Sequence, residues 1–402
     1  MKISIQVFPA KNGDSFLVRY GSEVHRNILI DAGYSHTFNH CIQRELERLA
    51  AQNESLDYLI ITHIDSDHIL GAIALLKSNF TENFINIKNI WHNAFRHLHN
   101  LNDLPETIDH RSIGLLNRVI SRGFKNSEAD HNNGEISARQ GTTLAAHILK
   151  GNYLWNAEFN GRAVCIENTR RIQLDENSSI FLLSPDSTKL EALKKYWTGK
   201  LEEYGIDYSQ SAKELYDDAF EMLMSWEKKK GVPTEGPKSS KSETVETLLQ
   251  EKDIFDTTPT NGSSIAFIIN IQEKKLLFLA DAHPDIVLKS LNEFQSVGLI
   301  LFDVIKVAHH GSSANTSKAL LEKIDAKKYI FSTNGSKDGH PDKSTIARII
   351  SRPTAFRREL IFNYVTDNSR FFDNLEWKEK YNYSLTYLTE EPYILRLNGE
   401  NF

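Results

Sequence analysis

The segment His63-Ile64-Asp65-Ser66-Asp67-His68 constrains this chain more than any other. It follows Tyr58 to Thr62, which reads as a fully buried strand, and precedes Gly71, which opens a short apolar helical run to about Lys77. A polar cluster between a buried strand and a helix lies where side chains and helix-terminal amides converge on an ion. Alternate residues of an extended turn point different ways, so one pair can hold one ion while Asp67 and His68 hold a neighbour. Paired metals about 3.5–4 Å apart activate a water and neutralise the charge that develops when it attacks phosphorus or an acyl carbon. The alternative is a solvated acidic loop, which two histidines at this spacing disfavour.

The chain is long enough to bury a full core: 402 residues, 40% hydrophobic and 25% charged, which excludes disordered and fibrous classes. Its longest apolar runs, Lys275 to Ala280 and Asp57 to Thr62, fall far short of the roughly 20 residues of a membrane span, so no membrane association is expected. Met1 to Val7 alternates like a strand and lacks the apolar stretch of a signal peptide. Cys41 and Cys165 are the two cysteines, which excludes a disulfide framework; a reducing, cytoplasmic location is the expectation. The formal charge of −6 gives no general attraction for nucleic acid. A phosphate-bearing substrate would need metal ions and a local patch, for which Lys306, Lys318, Lys323, Lys327 and Lys328 are the candidates.

Strand-like stretches open the chain at Lys2 to Phe8, Ser15 to Tyr20 and Asn27 to Asp31, with the turn signal Asn12-Gly13-Asp14 between the first two. A helix is expected from about Asn39 to Gln52. Residues 100–155 read as polar and mostly helical, with a loop near 126–135. Strands follow at Arg171 to Leu174 and Ser179 to Leu183, and a helix from about Lys189. Leu215, Ala219, Met222 and Trp226 mark one amphipathic helix, and Gly231 to Gln250 is linker-like, so 200–258 is expected to be an insertion within a single domain spanning 1–402. Alternating α/β patterning returns with strands at Ser264 to Ile271, Lys275 to Ala280, Asp303 to Ala308 and Lys328 to Thr333 and helices near 284–293 and 316–324. Further strands are expected around Glu359 to Tyr364, Ser384 to Leu388 and Tyr393 to Leu397.

Three more strand exits carry polar tips. Leu276 to Ala280 leads into Asp281, a carboxylate that either joins the metal cluster or caps the helix that begins near Pro284; His283 reads as a bystander. Phe302 to Ala308 leads into His309-His310-Gly311-Ser312, and Tyr329 to Asn334 leads toward Gly339-His340-Pro341, where His340 is a candidate substrate contact.

In this order, Gly13-Asp14, Leu29-Ile30-Asp31-Ala32-Gly33, His63 to His68, Ala280-Asp281, His309 to Ser312 and Gly339-His340-Pro341 resemble the metallo-β-lactamase superfamily. The branch resembled is the metallo-β-lactamase domain of bacterial DNA-uptake channel proteins of the ComEC type. The resemblance spans residues 1–350 and implies an α/β (α+β) fold, a four-layer αββα sandwich with the site at one edge between the sheets. It also implies two divalent metals, Zn²⁺ or Mn²⁺. His63 and Asp65 would hold one ion, Asp67 and His68 the other, with Asp281 bridging and catalytic together with Asp67. His309 would complete the second site, His310 and Ser312 would face substrate, and Asp31 would orient the ligand loop.

Two departures stand out. Asp65 occupies a position where most of the superfamily has histidine, and this harder ligand favours Mn²⁺ more than imidazole does. The histidine usually found between the first loop and the bridging Asp has no clear equivalent; His92, at a strand end, is the candidate.

The function expected is metal-dependent hydrolysis of a phosphodiester, a nuclease substrate being one form. An amide, ester or lactone hydrolase on the same scaffold is the second reading, because a fold does not name a chemistry. A partner-binding component is the third: stand-alone proteins resembling this branch are encoded beside ATPases in phage-defence operons, and 200–258 would then be the docking element.

Overall fold

The computed structural model describes residues 1–98, 110–122, 142–206, 213–224, 243–388 and 391–397. Trp226, the loop near 126–135 and most of the linker-like stretch lie outside the described residues. Two sheets face each other. The first has strands β1 (Lys2–Val7), β2 (Phe16–Gly21), β3 (His25–Ile30), β4 (Leu56–Ile60) and β5 (Ile87–Trp91). The second has β6 (Arg171–Asp175), β7 (Ser178–Ser184), β8 (Ala266–Ile271), β9 (Lys274–Phe278), β10 (Ile300–Lys306), β11 (Ile324–Phe331), β12 (Arg358–Phe362) and β13 (Tyr383–Tyr387), and β14 (Tyr393–Arg396) returns to the first. The orders are β14-β1-β2-β3-β4-β5 and β13-β12-β11-β10-β9-β8-β7-β6.

Each sheet changes character part-way across. β1, β2 and β3 are joined antiparallel, as the Asn12-Gly13-Asp14 turn requires, whereas β3–β4 and β4–β5 pair in parallel. In the second sheet β6 to β9 are antiparallel and β9 to β13 parallel. The parallel strands need crossover helices, which cover the outer faces. Ile3, Ile5, Val18, Phe267, Ile269 and Phe278 fill the space between the sheets. Leu46, Leu49, Leu75 and Leu76 cover the outside of the first, and Val287, Leu291, Leu320, Ile346 and Ile350 the outside of the second. This is the four-layer αββα arrangement that the resemblance implies.

A helical cap adds a separate core. Phe95, Leu116, Trp197, Leu201, Phe220 and Met222 pack together from the helices Phe95–Leu98, His110–Ser121, Ser187–Glu203 and Lys213–Met224. The last of these lies in the stretch read as an insertion, and the chain itself buries its residues 215–224. Among the described residues no helix is long and apolar enough to cross a membrane, and Cys41 and Cys165 are unpaired thiols.

The ligand-bearing helix spans Ser66–Glu82, so it starts five residues before the apolar run that signalled it. Its first turn is polar because Asp67 and His68 face the site, which hides that turn from hydrophobic periodicity. Asp67 stands there among the unsatisfied N–H groups, where a negative charge is favoured. The helix lies hard against the exit of β3: Gly71 N–H donates to Gly33 O at 2.8 Å, and a Cβ on Gly71 would meet Ala32 O at 1.9 Å. Gly71→Ala is therefore expected to destabilise the fold by about 1–3 kcal/mol, read as a shift of the urea midpoint; an unchanged midpoint would show that this contact can relax.

Candidate metal centre

Parallel strands release their C-terminal ends at one edge, and the polar tips meet there. Asp31 directly follows β3, Ile61 and Thr62 lead from β4 into His63, Asp281 follows β9 closely, and His309 and His310 follow β10. Asp31, Ala280, His309 and His310 have φ of 52°, 46°, 42° and 55°. This is the left-handed region, costing about 1–2 kcal/mol per non-glycine residue. Two successive left-handed residues turn both imidazoles of the His309-His310 pair toward the centre.

Three imidazoles are fixed by what holds Nδ1. His68 Nδ1 donates to Asp31 Oδ2 at 2.8 Å, and Asp31 also accepts from Thr62 N and Thr62 Oγ1, both at 2.8 Å. His310 Nδ1 donates to Ser332 O at 2.8 Å. His309 Nδ1 donates to Asn315 Oδ1 at 2.8 Å; Asn315 Nδ2 is committed to Asp281 O and Asp256 Oδ2, both at 3.0 Å, which leaves its oxygen as the acceptor. In each ring Nε2 is then the nitrogen that could ligate a cation.

Those Nε2 atoms face carboxylates. His63 Nε2 lies 3.6 Å from Asp65 Oδ2 and 3.7 Å from Asp281 Oδ2, and His309 Nε2 lies 3.5 Å from the same Asp281 oxygen. His310 Nε2 lies 3.7 Å from Asp67 Oδ2. His63, His68 and Asp281 offer ligand atoms within 4.8 Å of one another, as do Asp67, His68 and His310. Four of the buried atoms, His63 Nε2, His68 Nε2, Asp67 Oδ1 and Asp281 Oδ1, have no hydrogen-bond partner within the protein. A buried polar atom without a partner is costly, and four aimed into one space fit divalent cations.

The charges agree. Burial alone would raise the carboxyl of Asp281, yet His309, His310, His63 and His68 hold it well below the usual range. Asp67 behaves likewise: against burial, Lys337, His68 and His310 lower it to about 2. Burial opposes the charged form of His68, and Asp31 overrides it, raising the imidazole to about 10. Asp14, from the opening turn, is buried against Lys306 in an ion pair and lies 3.6 Å from His310 Nδ1.

The structure separates the expected residues into those it gathers and those it does not. His63, Asp65, Asp67, His68, Asp281, His309 and His310 converge, with Asp31 behind His68. His310, expected to face substrate, instead groups with Asp67 and His68, because its Nδ1 is tied to the end of β11. His340 stands at the margin, its ring 5.3 Å from that of His309 and its Nδ1 3.0 Å from Asp342. Ser312 is buried, and its oxygen accepts from Ala314 N, which tightens the turn. His92 points into the cap, stacked on Trp155 and 3.8 Å from Glu221. Asp281 does not cap the following helix; His283 occupies that position, with Nε2 3.8 Å from Asp256.

Sequence reasoning gave no role to Asn315, Asp256 or Lys337, quoted Asp14 only as part of the opening turn, and read Lys306 only as part of a surface patch. Lys306 carried the clearest signal, a charge between Ile305 and Val307 at the end of β10.

Residues 9–90 match the family model described as the metallo-beta-lactamase superfamily. That stretch contains β2 to β5, Asp31 and His63 to His68, and the two-sheet α/β architecture is consistent with that fold. Among solved structures, a long form RNase Z from yeast aligns over 83% of this chain at 10% identity and a TM-score of 0.28. The alignment spans 36% of that chain. No curated protein matches.

Two outcomes follow from the Asp31–His68 pair. Metal binding at His68 Nε2 must displace a proton from a group whose pKa is raised, so affinity for Zn²⁺ or Mn²⁺ is expected to tighten as pH rises from 6 to 8, by up to about tenfold per unit from this group. Asp31→Ala is expected to weaken binding about 10- to 100-fold and to flatten that dependence. Calorimetry with each metal checks both, and a variant that binds like the wild type would remove Asp31 from the centre.

Proposed function

We propose that this protein is a metal-dependent hydrolase with two divalent ions at the strand-end centre, acting on a phosphodiester bond. The observation that carries the reading is the set of buried, unpartnered ligand atoms on His63, His68, Asp67 and Asp281. His63, Asp65 and His309 would hold one ion and Asp67, His68 and His310 the other, with Asp281 between them. In this assignment His309 serves the first ion, supplying the imidazole for which the sequence offered only His92, and His310 takes the place at the second ion first given to His309.

Ions held there would supply Lewis-acid polarisation and an activated water. The protein's own part is to hold Nδ1 of His68, His309 and His310, so that each Nε2 is turned toward the ion, and to seat the carboxylates among positive charges. Three carboxylates with four imidazoles form a mixed donor set that suits Zn²⁺ and Mn²⁺. Support for the phosphodiester class comes from the ordered motifs shared with the DNA-uptake branch.

Wild-type protein supplemented with Zn²⁺ or Mn²⁺ is expected to retain two ions per chain and to cleave bis(p-nitrophenyl) phosphate. Asp67→Ala and Asp281→Ala should lower both metal content and kcat, the latter at least about a hundredfold, a loss of about 2.7 kcal/mol of transition-state stabilisation. His309→Ala should lose an ion, whereas His92→Ala should retain both. Elemental analysis beside the rate assay decides: a wild type that takes up neither metal would end the hydrolase reading, and one that takes up metal but cleaves only a lactone would reassign the substrate.

A further inference from the structure

Four of the five lysines nominated from the sequence as an anion patch are committed elsewhere. Lys306 is buried in its ion pair with Asp14. Lys318 Nζ donates to Leu249 O at 2.9 Å and Lys323 Nζ to Ser296 O at 3.3 Å, while Lys328 pairs with Glu359. The centre nonetheless has an ammonium at its edge. Lys337 Nζ lies 3.5 Å from Asp67 Oδ2, with its side chain 37% exposed, whereas that of Asp67 is 3% exposed. Lys337 therefore reaches from solvent to the buried carboxylate of Asp67.

The loop that carries it is tightly held. Asn334 Oδ1 accepts from Ser336 N at 3.0 Å and from Ser336 Oγ at 2.7 Å, and Gly335 N donates to Thr333 Oγ1 at 3.1 Å. Gly335, Asp338 and Gly339 have φ of 74°, 58° and 71°, so the chain reverses sharply on both sides of Lys337. Beyond the tip, Asn368 Nδ2 donates to Gly339 O at 2.9 Å and to Pro341 O at 3.0 Å. A loop anchored at both ends sets a flexible four-carbon stem beside the centre, which lets the ammonium follow an anion without reshaping the backbone.

We infer that Lys337 binds the negatively charged oxygen of the substrate, making the site selective for anionic esters, phosphodiesters among them, over neutral ones. This deepens the hydrolase reading and rests on it. An ammonium that merely neutralised Asp67 would affect metal retention; one that also recognises substrate affects anion affinity with the metals in place.

The test uses metal-loaded full-length protein and inorganic phosphate as the probe. In Lys337→Ala the Kd for phosphate, measured by calorimetry, is expected to rise about 10- to 100-fold, with metal content unchanged by elemental analysis. Lys337→Arg is expected to restore most of the affinity, and added salt to shrink the difference. KM for bis(p-nitrophenyl) phosphate should rise in Lys337→Ala while that for p-nitrophenyl acetate stays level. Equal phosphate affinity in wild type and Lys337→Ala overturns the inference, as does loss of metal in proportion to loss of phosphate binding. Turnover of the diester by wild type reports separately on the hydrolase reading: it can fail while the phosphate measurement still shows Lys337 binding anions.

Discussion

One buried carboxylate joins the elements that make up the centre. Asp31 receives Thr62 N and Thr62 Oγ1 from the exit of β4 and Nδ1 of His68 from the first turn of the ligand helix. Its own N–H donates to Ile60 O, and its carbonyl accepts from Ser15 Oγ. Two strand exits, the opening turn and a helix N-terminus thereby share one residue. Burying a carboxylate is costly unless its lone pairs are filled and a positive charge is near; here three donors and the raised imidazole of His68 meet both conditions. Ala32 N–H bonded to His68 O reinforces the same junction through the backbone.

The centre works against its own fold. Asp14, Asp31, Asp65, Asp67 and Asp281 are all buried at one edge, and Asp31, Ala280, His309 and His310 hold left-handed φ there. Like charges in a low-dielectric space repel strongly, and left-handed non-glycine residues are strained. Lys306 and Lys337 and the imidazoles offset part of this, but His63 Nε2, Asp67 Oδ1 and Asp281 Oδ1 remain without hydrogen bonds. Such costs are tolerated where the surrounding structure over-determines the geometry, and the sheets do so here: Asp31, His63, Asp281, His309 and His310 sit close beyond strands that are hydrogen-bonded on both sides. That pairing of a rigid frame with uncompensated donor atoms is what a cation requires.

Much of this was legible because strands and ligands are local in sequence. The run Tyr58 to Thr62 followed by His63 to His68 announces both a buried strand and its polar tip, and Asp281 and His309 repeat the pattern. The start of the helix Ser66–Glu82 was not legible, because the residues that begin it face the site and not the core, so its apolar run was read only from Gly71. Nor could the sequence divide the roles of His309 and His310. Adjacent side chains have no fixed relative direction until φ is known, and both residues adopt a conformation rare outside glycine. Asn315 and Ser332, which decide the ligating nitrogen in each ring, lie 6 and 22 residues away, and only the turn after β10 and the neighbouring strand β11 bring them close.

The least legible part, the helical cap, bears on the centre through one side chain. Ile64, between His63 and Asp65, is buried with Phe95, Leu116 and Trp197 in the cap's core, not in the core between the sheets. In the extended stretch from His63 to Asp65 successive side chains face opposite ways, so seating Ile64 in the cap leaves His63 and Asp65 on the side of Asp281. The cap has its own polar clasps: Asp217 accepts from Arg96 N at 3.0 Å and Arg96 Nε at 2.7 Å, and Glu221 accepts from Leu144 N and Ala145 N at 2.7 and 2.8 Å. Burial outweighs Arg96 and raises the carboxyl of Asp217 to about 7. Residues far from the centre in sequence, and silent as a motif, thus hold the middle of the His63 to His68 loop, while the strand ends hold its flanks.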